Sequence, residues 1–349
     1  MIPGLGVSLL SLGVVFYFAD LGNVAQALQM ADYRLAAASA TITLGWLVVR
    51  AQVWRTLLRD YPTRIDTFFA INQGYLFNNI LPFRLGELAR AYLLARKSKL
   101  GFFQVFPSVI IERLLDLGMA VGLLMATIPL VVGGSWARSA AVSAGILVLV
   151  LYIGLFLIAR YHDRAEVSIH KLLAKIPLVG GWAQKFLPDL FSGVQVLTNG
   201  KLFVKAVGWV TLNWVMAIVQ YYILMLAFFP QAEPLWAAFS IGVVSLGIAA
   251  PSSPGAVGVL ELSLVGALAV FGLNSSTALA FALTLHAIQY ILTGVLGAYA
   301  LTRDGESLIG IYRRLQSLRT QPATAQRGPQ DPQVKATELG NSLDPEERP

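Results

Sequence analysis

The sequence predicts an all-α integral membrane protein with about six spanning helices and two re-entrant helical hairpins, arranged as inverted-topology repeats. The first observation is composition: 56% of the 349 residues are hydrophobic and 13% are charged, whereas soluble domains carry about 25% charged residues. The second is six apolar segments of about the length that spans a bilayer. The third is a pair of apolar stretches that proline and polar residues interrupt.

The six predicted spans are continuous and predominantly apolar. They cover about residues 2–19, 35–58, 103–132, 139–158, 202–229 and 277–301. Each is close to the roughly 20 residues that cross about 30 Å of hydrocarbon as a helix.

The two interrupted stretches are residues 66–97 and 235–272. The interruptions are Asn78, Asn79 and Pro82 in the first, and Pro251, Ser252, Ser253, Pro254 and Gly255 in the second. Proline removes a backbone donor and stops a helix, and neither half is long enough to span. Each stretch is therefore interpreted as a hairpin of two half-helices, whose irregular tip must be buried in protein or beside water.

Basic residues indicate the topology. They concentrate in residues 50–64, which hold four arginines, in 96–99, in the connector 159–201 and at the start of the tail 303–349, whereas the loop 20–34 has one arginine. Cytoplasmic loops carry the excess of Lys and Arg, so both termini are predicted to be cytoplasmic. The first hairpin then enters from the cytoplasm and the second from outside.

The order of elements repeats within the predicted membrane domain, residues 1–302. A span, a hairpin and a span occur at about 35–132 and again at about 202–301. The two units start three crossings apart and so have opposite orientations. Inverted repeats with broken helices that meet near the middle of the bilayer are typical of transporters.

Two segments lie outside the repeats. The connector 159–201 alternates short apolar clusters with lysines and is predicted to lie along the inner headgroup layer, with a solvated linker as the alternative. The tail 303–349 is cytoplasmic and mostly disordered, since residues 316–349 are rich in polar residues and proline.

Composition also excludes several kinds of site. The chain has no cysteine, which rules out disulfides, thiolate metal sites and cysteine nucleophiles. His162, His170 and His286 are far apart, so no metal or other cofactor is expected. A net charge of +7 favours basic loops beside anionic lipid over nucleic-acid binding.

The first candidate site string surrounds the tip of the first hairpin. It contains Asn78, Asn79, Pro82, Arg84, Gly86, Glu87 and Arg90. Arg84, Glu87 and Arg90 share one face of a helix that starts after Pro82, and ionised groups inside a bilayer normally face partners or a water-filled cavity. The free N–H groups of that half-helix favour an anion. Alternatively, the three charged groups pair with one another and pin the hairpin, or Arg90 anchors the interface.

The second string is Glu112, Arg113 and Asp116 in the third span. Glu112 lies about 14 Å along the helix from its start, roughly half the hydrocarbon thickness. The string is either a site or proton relay that changes charge during a cycle, or a buried ion-pair network that joins this helix to Arg84 or Arg90.

The third string forms the tip of the second hairpin. It contains Pro251, Ser252, Ser253, Pro254, Gly255, Gly258 and Glu261. The two glycines permit close backbone approach, and the two serines are predicted to cap the following half-helix. Glu261 is either a structural acid or part of the site, and His286 is interpreted as a satisfied core histidine.

Together the strings resemble the lysylphosphatidylglycerol synthase transmembrane-region family, also called the flippase-like domain family. The resemblance covers about residues 2–302. It implies a multi-pass protein of the bacterial inner membrane. In the best-known relatives this region is thought to move an aminoacylated phospholipid between leaflets, and a soluble aminoacyl-transferring domain follows it. Only a short segment follows Leu301 here, so synthesis of the aminoacyl lipid is not expected of this chain.

We therefore expect a lipid flippase that moves an anionic or aminoacylated phospholipid, or a lipid-linked intermediate, through a polar mid-membrane site. Arg84 and Arg113 would receive the headgroup, and Glu87, Glu112 and Asp116 would balance them. The alternatives are a non-catalytic partner of a lipid or glycolipid synthase, and a membrane enzyme that acts on lipid phosphates with Glu112 and Asp116 as metal ligands. The expected protein partners are a second copy of the chain or a separate synthase.

Overall fold

The computed structural model describes residues 2–320 except 82–84, 99, 134–136, 161–198, 250 and 251. Every regular element in these ranges is helical, which confirms the predicted all-α class. The helices are α1 (Ile2–Phe18), α2 (Leu21–Met30), α3 (Tyr33–Leu57), α4 (Arg64–Ile80), α5 (Leu85–Lys97), α6 (Phe102–Val132), α7 (Ala137–Arg160), α8 (Gly200–Leu226), α9 (Pro234–Gly247), α10 (Val259–Ala269), α11 (Ser275–Arg303) and α12 (Leu308–Thr320). A 3₁₀ turn, Pro254–Ala256, precedes α10.

Four described helices, α3, α6, α8 and α11, are long and apolar enough to cross a membrane. A fifth candidate is α1 together with α2. Helix α7 covers the predicted span 139–158 and contains the shorter apolar stretch Gly145–Gly154. The chain is therefore an integral membrane protein with four or five candidate spans in the described ranges, and the count of six stays a prediction.

The segment 20–34 differs from the predicted loop, because most of it is the helix α2. The Asp20 carboxylate accepts a hydrogen bond from the Asn23 N–H at 2.8 Å, an N-cap that starts a new helix after α1 ends. The axis turns by 82° between the two helices. Asp32 caps α3 in the same way, through the Arg34 N–H.

The two interrupted stretches form pairs of short helices that pack against each other. In the first pair, α4 and α5, the backbones meet so closely that a Cβ on Gly86 would overlap the carbonyl oxygen of Gly74. In the second pair, α9 and α10, Gly247 faces the side chain of Ser263. Each pair thus has the geometry of a hairpin, and its entry into a membrane stays a prediction.

Contacts near the helix termini define two ends of the bundle. At one end Lys205 forms an ion pair with Asp60, and Lys97 forms one with Asp304. At the other end the Asp32 N–H donates to the Ala227 carbonyl at 3.2 Å. The first hairpin begins and ends at the Asp60 end. The second begins at the Ala227 end, and entry of the two hairpins from opposite membrane surfaces stays a prediction.

Several predicted segments lie outside the described residues. They include most of the connector 159–201 and residues 321–349 of the tail. Within the tail, α12 extends to Thr320, and the mostly disordered character of the tail stays a prediction. The segment reads LIGIYRRLQSLRT, in which apolar residues recur at helical spacing before the proline-rich sequence begins.

Candidate functional site

A cavity of about 390 Å³ lies between the tips of the two hairpins. Its lining includes Asn78, Asn79 and Glu87 from the first hairpin, Ser252, Ser253 and Gly255 from the second, Arg113 from α6, and His286 and Tyr290 from α11. The volume falls within the roughly 300–1,000 Å³ of small-molecule sites. The structure therefore brings residues from all three predicted strings to one place.

The two asparagines at the first tip are engaged in hydrogen bonds. Asn78 Oδ1 accepts the Gly86 N–H at 2.9 Å, and Asn79 Nδ2 donates to Thr293 Oγ1 on α11 at 3.2 Å. Helix α5 begins at Leu85, and one of its first N–H groups is already taken. The predicted set of free N–H groups is thus reduced, and Pro82 and Arg84 lie outside the described residues.

A buried ion-pair network joins α3, α5 and α6. Arg50 makes two bonds to Asp116, at 2.9 and 2.5 Å, and also forms an ion pair with Glu112. Arg90 Nη1 lies 3.0 Å from Glu112 Oε2. The Glu112 side chain is fully buried, so its charge is compensated by these arginines and not by water. The predicted alternative, a network between the third span and Arg90, is present.

Arg50 is the member of this network that sequence reasoning missed. It was assigned to a basic cytoplasmic segment, but α3 continues to Leu57, and Arg50 lies about two turns inside the helix. The signal was its register: Leu47 and Trp54, three residues before and four after it, are fully buried, so all three share the core face.

Tryptophans complete the surroundings of the network. The Arg90 guanidinium lies over the ring of Trp54, 4.6 Å from its centroid, and Trp214 Nε1 donates to Asp116 Oδ1 at 3.4 Å. The ring face of Trp54 stabilises the desolvated guanidinium, and the Trp214 N–H stabilises the carboxylate. Arg90, Glu112 and Asp116 are therefore engaged in contacts between helices, and we call this network, with Arg50, the structural clamp.

Glu87 and Arg113 are the charged pair of this region that lines the cavity. Arg113 Nε lies 3.0 Å from Glu87 Oε1, and the side chains are 35% and 22% exposed. With them the described members of this network are three arginines and three carboxylates. Of the predicted charged site residues in the described ranges, these two reach the open space.

The tip of the second hairpin is held by its glycines and by Glu261. Gly258 has φ +86°, and its N–H donates to Glu261 Oε2 at 2.6 Å, which caps α10. Ser252 and Ser253 were predicted to cap this half-helix, but its N-cap is Gly258. Gly255 has φ +67°, and Tyr290 occupies the space that a Cβ would need. Pro251 lies outside the described residues.

His286 links this tip to α11 and to the cavity wall. Its Nδ1 lies 2.5 Å from Glu261 Oε1, and its Nε2 lies 3.1 Å from the Gly255 carbonyl oxygen. The Tyr290 ring meets the imidazole edge-on. Sequence reasoning interpreted His286 as a core residue, but it also lines the cavity; only the fold could show this, because Glu261 lies 25 residues away.

No group of His, Asp and Glu in the described ranges is arranged to hold a metal ion. Glu112 and Asp116, the metal ligands of one alternative, are bound by Arg50. A cation there would have to displace a guanidinium from a buried site, which carries a large electrostatic cost.

Comparisons with known proteins agree with this architecture. Residues 1–297 match the model of a protein family described as "Lysylphosphatidylglycerol synthase TM region". Glycosyltransferase AglD of Haloferax volcanii is 27% identical over 335 residues, which cover 85% of this chain and 53% of AglD. A UPF0104 membrane protein of Methanothermobacter thermautotrophicus is 25% identical over 312 residues, 83% of this chain and 89% of that protein.

The chain thus spans about half the length of AglD. No solved structure matches it. Because the family description covers most of the chain, including every predicted site string, the protein belongs to the lysylphosphatidylglycerol synthase transmembrane-region family.

Proposed function

We propose that this protein is a flippase that moves an anionic or aminoacylated phospholipid, or a lipid-linked intermediate, between membrane leaflets. The observation that carries the proposal is the polar cavity of about 390 Å³ that both hairpin tips share. Broken helices that meet at one polar site are the arrangement used by many transporters. We place the chain in the bacterial inner membrane, with both termini in the cytoplasm.

Arg113 is the group proposed to receive a phosphate. It is the partly exposed arginine of the network, and a guanidinium can bind two phosphate oxygens at once. In the structure Glu87 holds this arginine. A phosphate would replace Glu87 as its partner, and the freed carboxylate would suit the amine of an aminoacyl headgroup.

The buried residues are proposed to position this pair. Arg50, Arg90, Glu112 and Asp116 hold α3, α5 and α6 together, and a clamp of this kind keeps the cavity wall in place while the headgroup moves. Acyl chains would stay in lipid between the helices.

The test is leaflet exchange in vesicles of phosphatidylglycerol and phosphatidylethanolamine that contain fluorescent phosphatidylglycerol or fluorescent lysylphosphatidylglycerol. An impermeant quencher reports how fast the labelled lipid of the inner leaflet becomes accessible. We expect wild-type protein to accelerate exchange and Arg113→Gln to lower the rate at least about tenfold, since a charged hydrogen bond is worth about 1.5–3 kcal/mol.

Arg55→Gln is the matched control, because Arg55 is a partly exposed arginine at the Asp60 end, paired with Asp60 and away from the cavity lining. Folding of each variant is checked by size-exclusion chromatography and thermal unfolding in detergent. Wild-type rates from a correctly folded Arg113→Gln protein would contradict the proposed site. No acceleration by the wild-type protein would contradict the function.

A second candidate function is a non-catalytic membrane partner of a lipid or glycolipid synthase. It is favoured by the similarity to glycosyltransferase AglD, because this chain matches only about half of the length of AglD. Co-purification of a synthase, together with loss of lipid product on deletion and without any exchange activity, would support this role over transport. We do not propose that the chain is itself an enzyme.

A further inference from the structure

The Glu261–His286 pair is a titratable group at the cavity that the proposed headgroup site does not use. Glu261 is 2% and His286 8% exposed. One lies on α10 of the second hairpin and the other on α11, so the pair connects the hairpin to a candidate span.

The hydrogen bonds of the pair require a fixed number of protons. A carbonyl oxygen only accepts, so the 3.1 Å contact with Gly255 requires a proton on His286 Nε2. The 2.5 Å contact between His286 Nδ1 and Glu261 Oε1 requires one more proton between those two atoms. The pair therefore holds two protons and has no net charge, either as carboxylate and imidazolium or as carboxylic acid and imidazole.

Loss of one proton breaks this arrangement. Without the proton between the two side chains, the Nδ1 lone pair faces a carboxylate; without the Nε2 proton, a lone pair faces the Gly255 carbonyl. Either contact is repulsive in a buried site. Gly255, Ala256 and Gly258 of this tip all have positive φ. The other contacts of the tip, such as the Ser253 N–H to Ser8 Oγ and the Tyr290 hydroxyl to the Pro254 carbonyl, are neutral hydrogen bonds, so the pair is its charged attachment among the described residues.

We propose that the Glu261–His286 pair is a proton-binding site whose occupancy latches the tip of the second hairpin against α11 and so couples proton binding to access to the cavity. The proton leaves from between the two side chains to water in the cavity and returns by the same route. The latch itself stands on the geometry of the pair; its use in lipid movement rests on the proposed function.

Few other ionisable groups of the described residues face the pair. Tyr290 on α11 packs against the imidazole, and Tyr75 on α4 also lines the cavity. Glu87 and Arg113 lie across the cavity and are paired with each other. Helix α1 contributes Tyr17 near its end, and α9 has no ionisable side chain. The charge at this tip therefore changes mainly through the pair.

The chain has no cysteine, so a single Ser252→Cys on the tip reports access to the cavity. The full chain in detergent is labelled with a maleimide between about pH 5.5 and pH 8.5, the range in which histidine titrates. The same cysteine is labelled in the Glu261→Gln background. Glutamine accepts the Gly258 N–H and donates to His286 Nδ1, so it imitates the protonated pair at every pH.

The measured quantity is the labelling rate in the otherwise wild-type background divided by the rate in the Glu261→Gln background, at each pH. This ratio cancels the effect of thiol ionisation, which is the same in both proteins. We expect a ratio near one at low pH that rises about tenfold at high pH, which corresponds to a shift of about 1.4 kcal/mol in the tip equilibrium. His286→Ala should label fast at every pH. A ratio that does not change with pH overturns the proposal, whether or not His286→Ala folds.

A second measurement separates the latch from the function. In the vesicles described above, a proton gradient should accelerate exchange by the wild-type protein and leave Glu261→Gln unaffected. A gradient effect of equal size in both proteins overturns the coupling. Absence of all exchange contradicts the flippase function, while the labelling ratio still decides whether the pair is a proton latch.

Discussion

The two hairpins have a similar plan but are held by different chemistry. Helix α5 is tied to its neighbours by guanidinium–carboxylate pairs, through Arg90 and Glu87. Helix α10 is tied to α11 by a carboxylate–imidazole pair, Glu261 and His286. Arginine keeps its charge at any physiological pH, whereas histidine loses or gains a proton near neutrality. The first hairpin is thus held by side chains that stay charged. Under the proposed latch, the attachment of the second depends on the protonation of the Glu261–His286 pair.

The hairpins also differ in how closely their helices approach. In the first, Gly86 faces the backbone of Gly74, which cannot move without bending α4. In the second, Gly247 faces the hydroxyl of Ser263, which can rotate away. The close backbone packing accompanies the arginine–carboxylate pairs, and the packing against a serine hydroxyl accompanies the carboxylate–imidazole pair.

The largest loss of stability should come from removing the charge of Arg50, which lies at the centre of the ion-pair network beside the first hairpin. Arg50→Met leaves Glu112 and Asp116 without their shared partner, and loss of one member of a buried ion pair typically costs about 3–5 kcal/mol. The measurement is the free energy of unfolding in mixed detergent micelles titrated with SDS.

Arg55→Met on the same helix is the control for that variant. Arg55 pairs with Asp60 at 2.9 Å and is partly exposed, so its loss should cost less than about 1 kcal/mol. An equal loss of unfolding free energy in the two variants would mean that the buried Arg50 contributes no more to stability than the partly exposed Arg55.

A smaller effect tests the packing difference. Gly86→Ala should destabilise the protein by about 1–3 kcal/mol, the usual cost of overpacking, because its Cβ would meet backbone. Gly247→Ala should cost less than about 1 kcal/mol, since a serine rotamer relieves the contact. Gly266→Ala on α10 faces open space and serves as the reference. If Gly247→Ala proves as costly as Gly86→Ala, the second hairpin is as rigid as the first.

The smallest effect concerns the pair at the cavity. A double-mutant cycle with Glu87→Gln and Arg113→Gln should give a coupling energy below about 1 kcal/mol, because partly exposed ion pairs contribute little to stability. A coupling energy similar to the cost of Arg50→Met would assign Glu87 and Arg113 to the structural clamp and remove the reason for placing the headgroup there. The unfolding free energies are measured as for Arg50.

Much of the architecture could be predicted from periodicity and interruptions. The first hairpin was expected over 66–97 and is built of Arg64–Ile80 and Leu85–Lys97. Asn78 and Asn79, predicted to interrupt the stretch, instead lie in the last turn of α4, and the helix ends after Ile80. The bend after α1 was not predicted. An aspartate cap and a contact from Ser276 to the Asp20 N–H hold it, and such a cap is not distinguishable in sequence from an ordinary loop residue.

The amino-acid sequence alone determined that the protein lies in a membrane and is helical, because both follow from hydropathy and helix length. It also determined where the two interrupted stretches lie and which residue types surround them, because these follow from the placement of proline and polar residues. The tertiary structure alone decided which charges are partners. Arg50 joins Glu112 across 62 positions of sequence, and His286 joins Glu261 across 25. A buried charge selects its partner by distance in the folded chain, and helical spacing within one segment carries no information about the helix that packs against it.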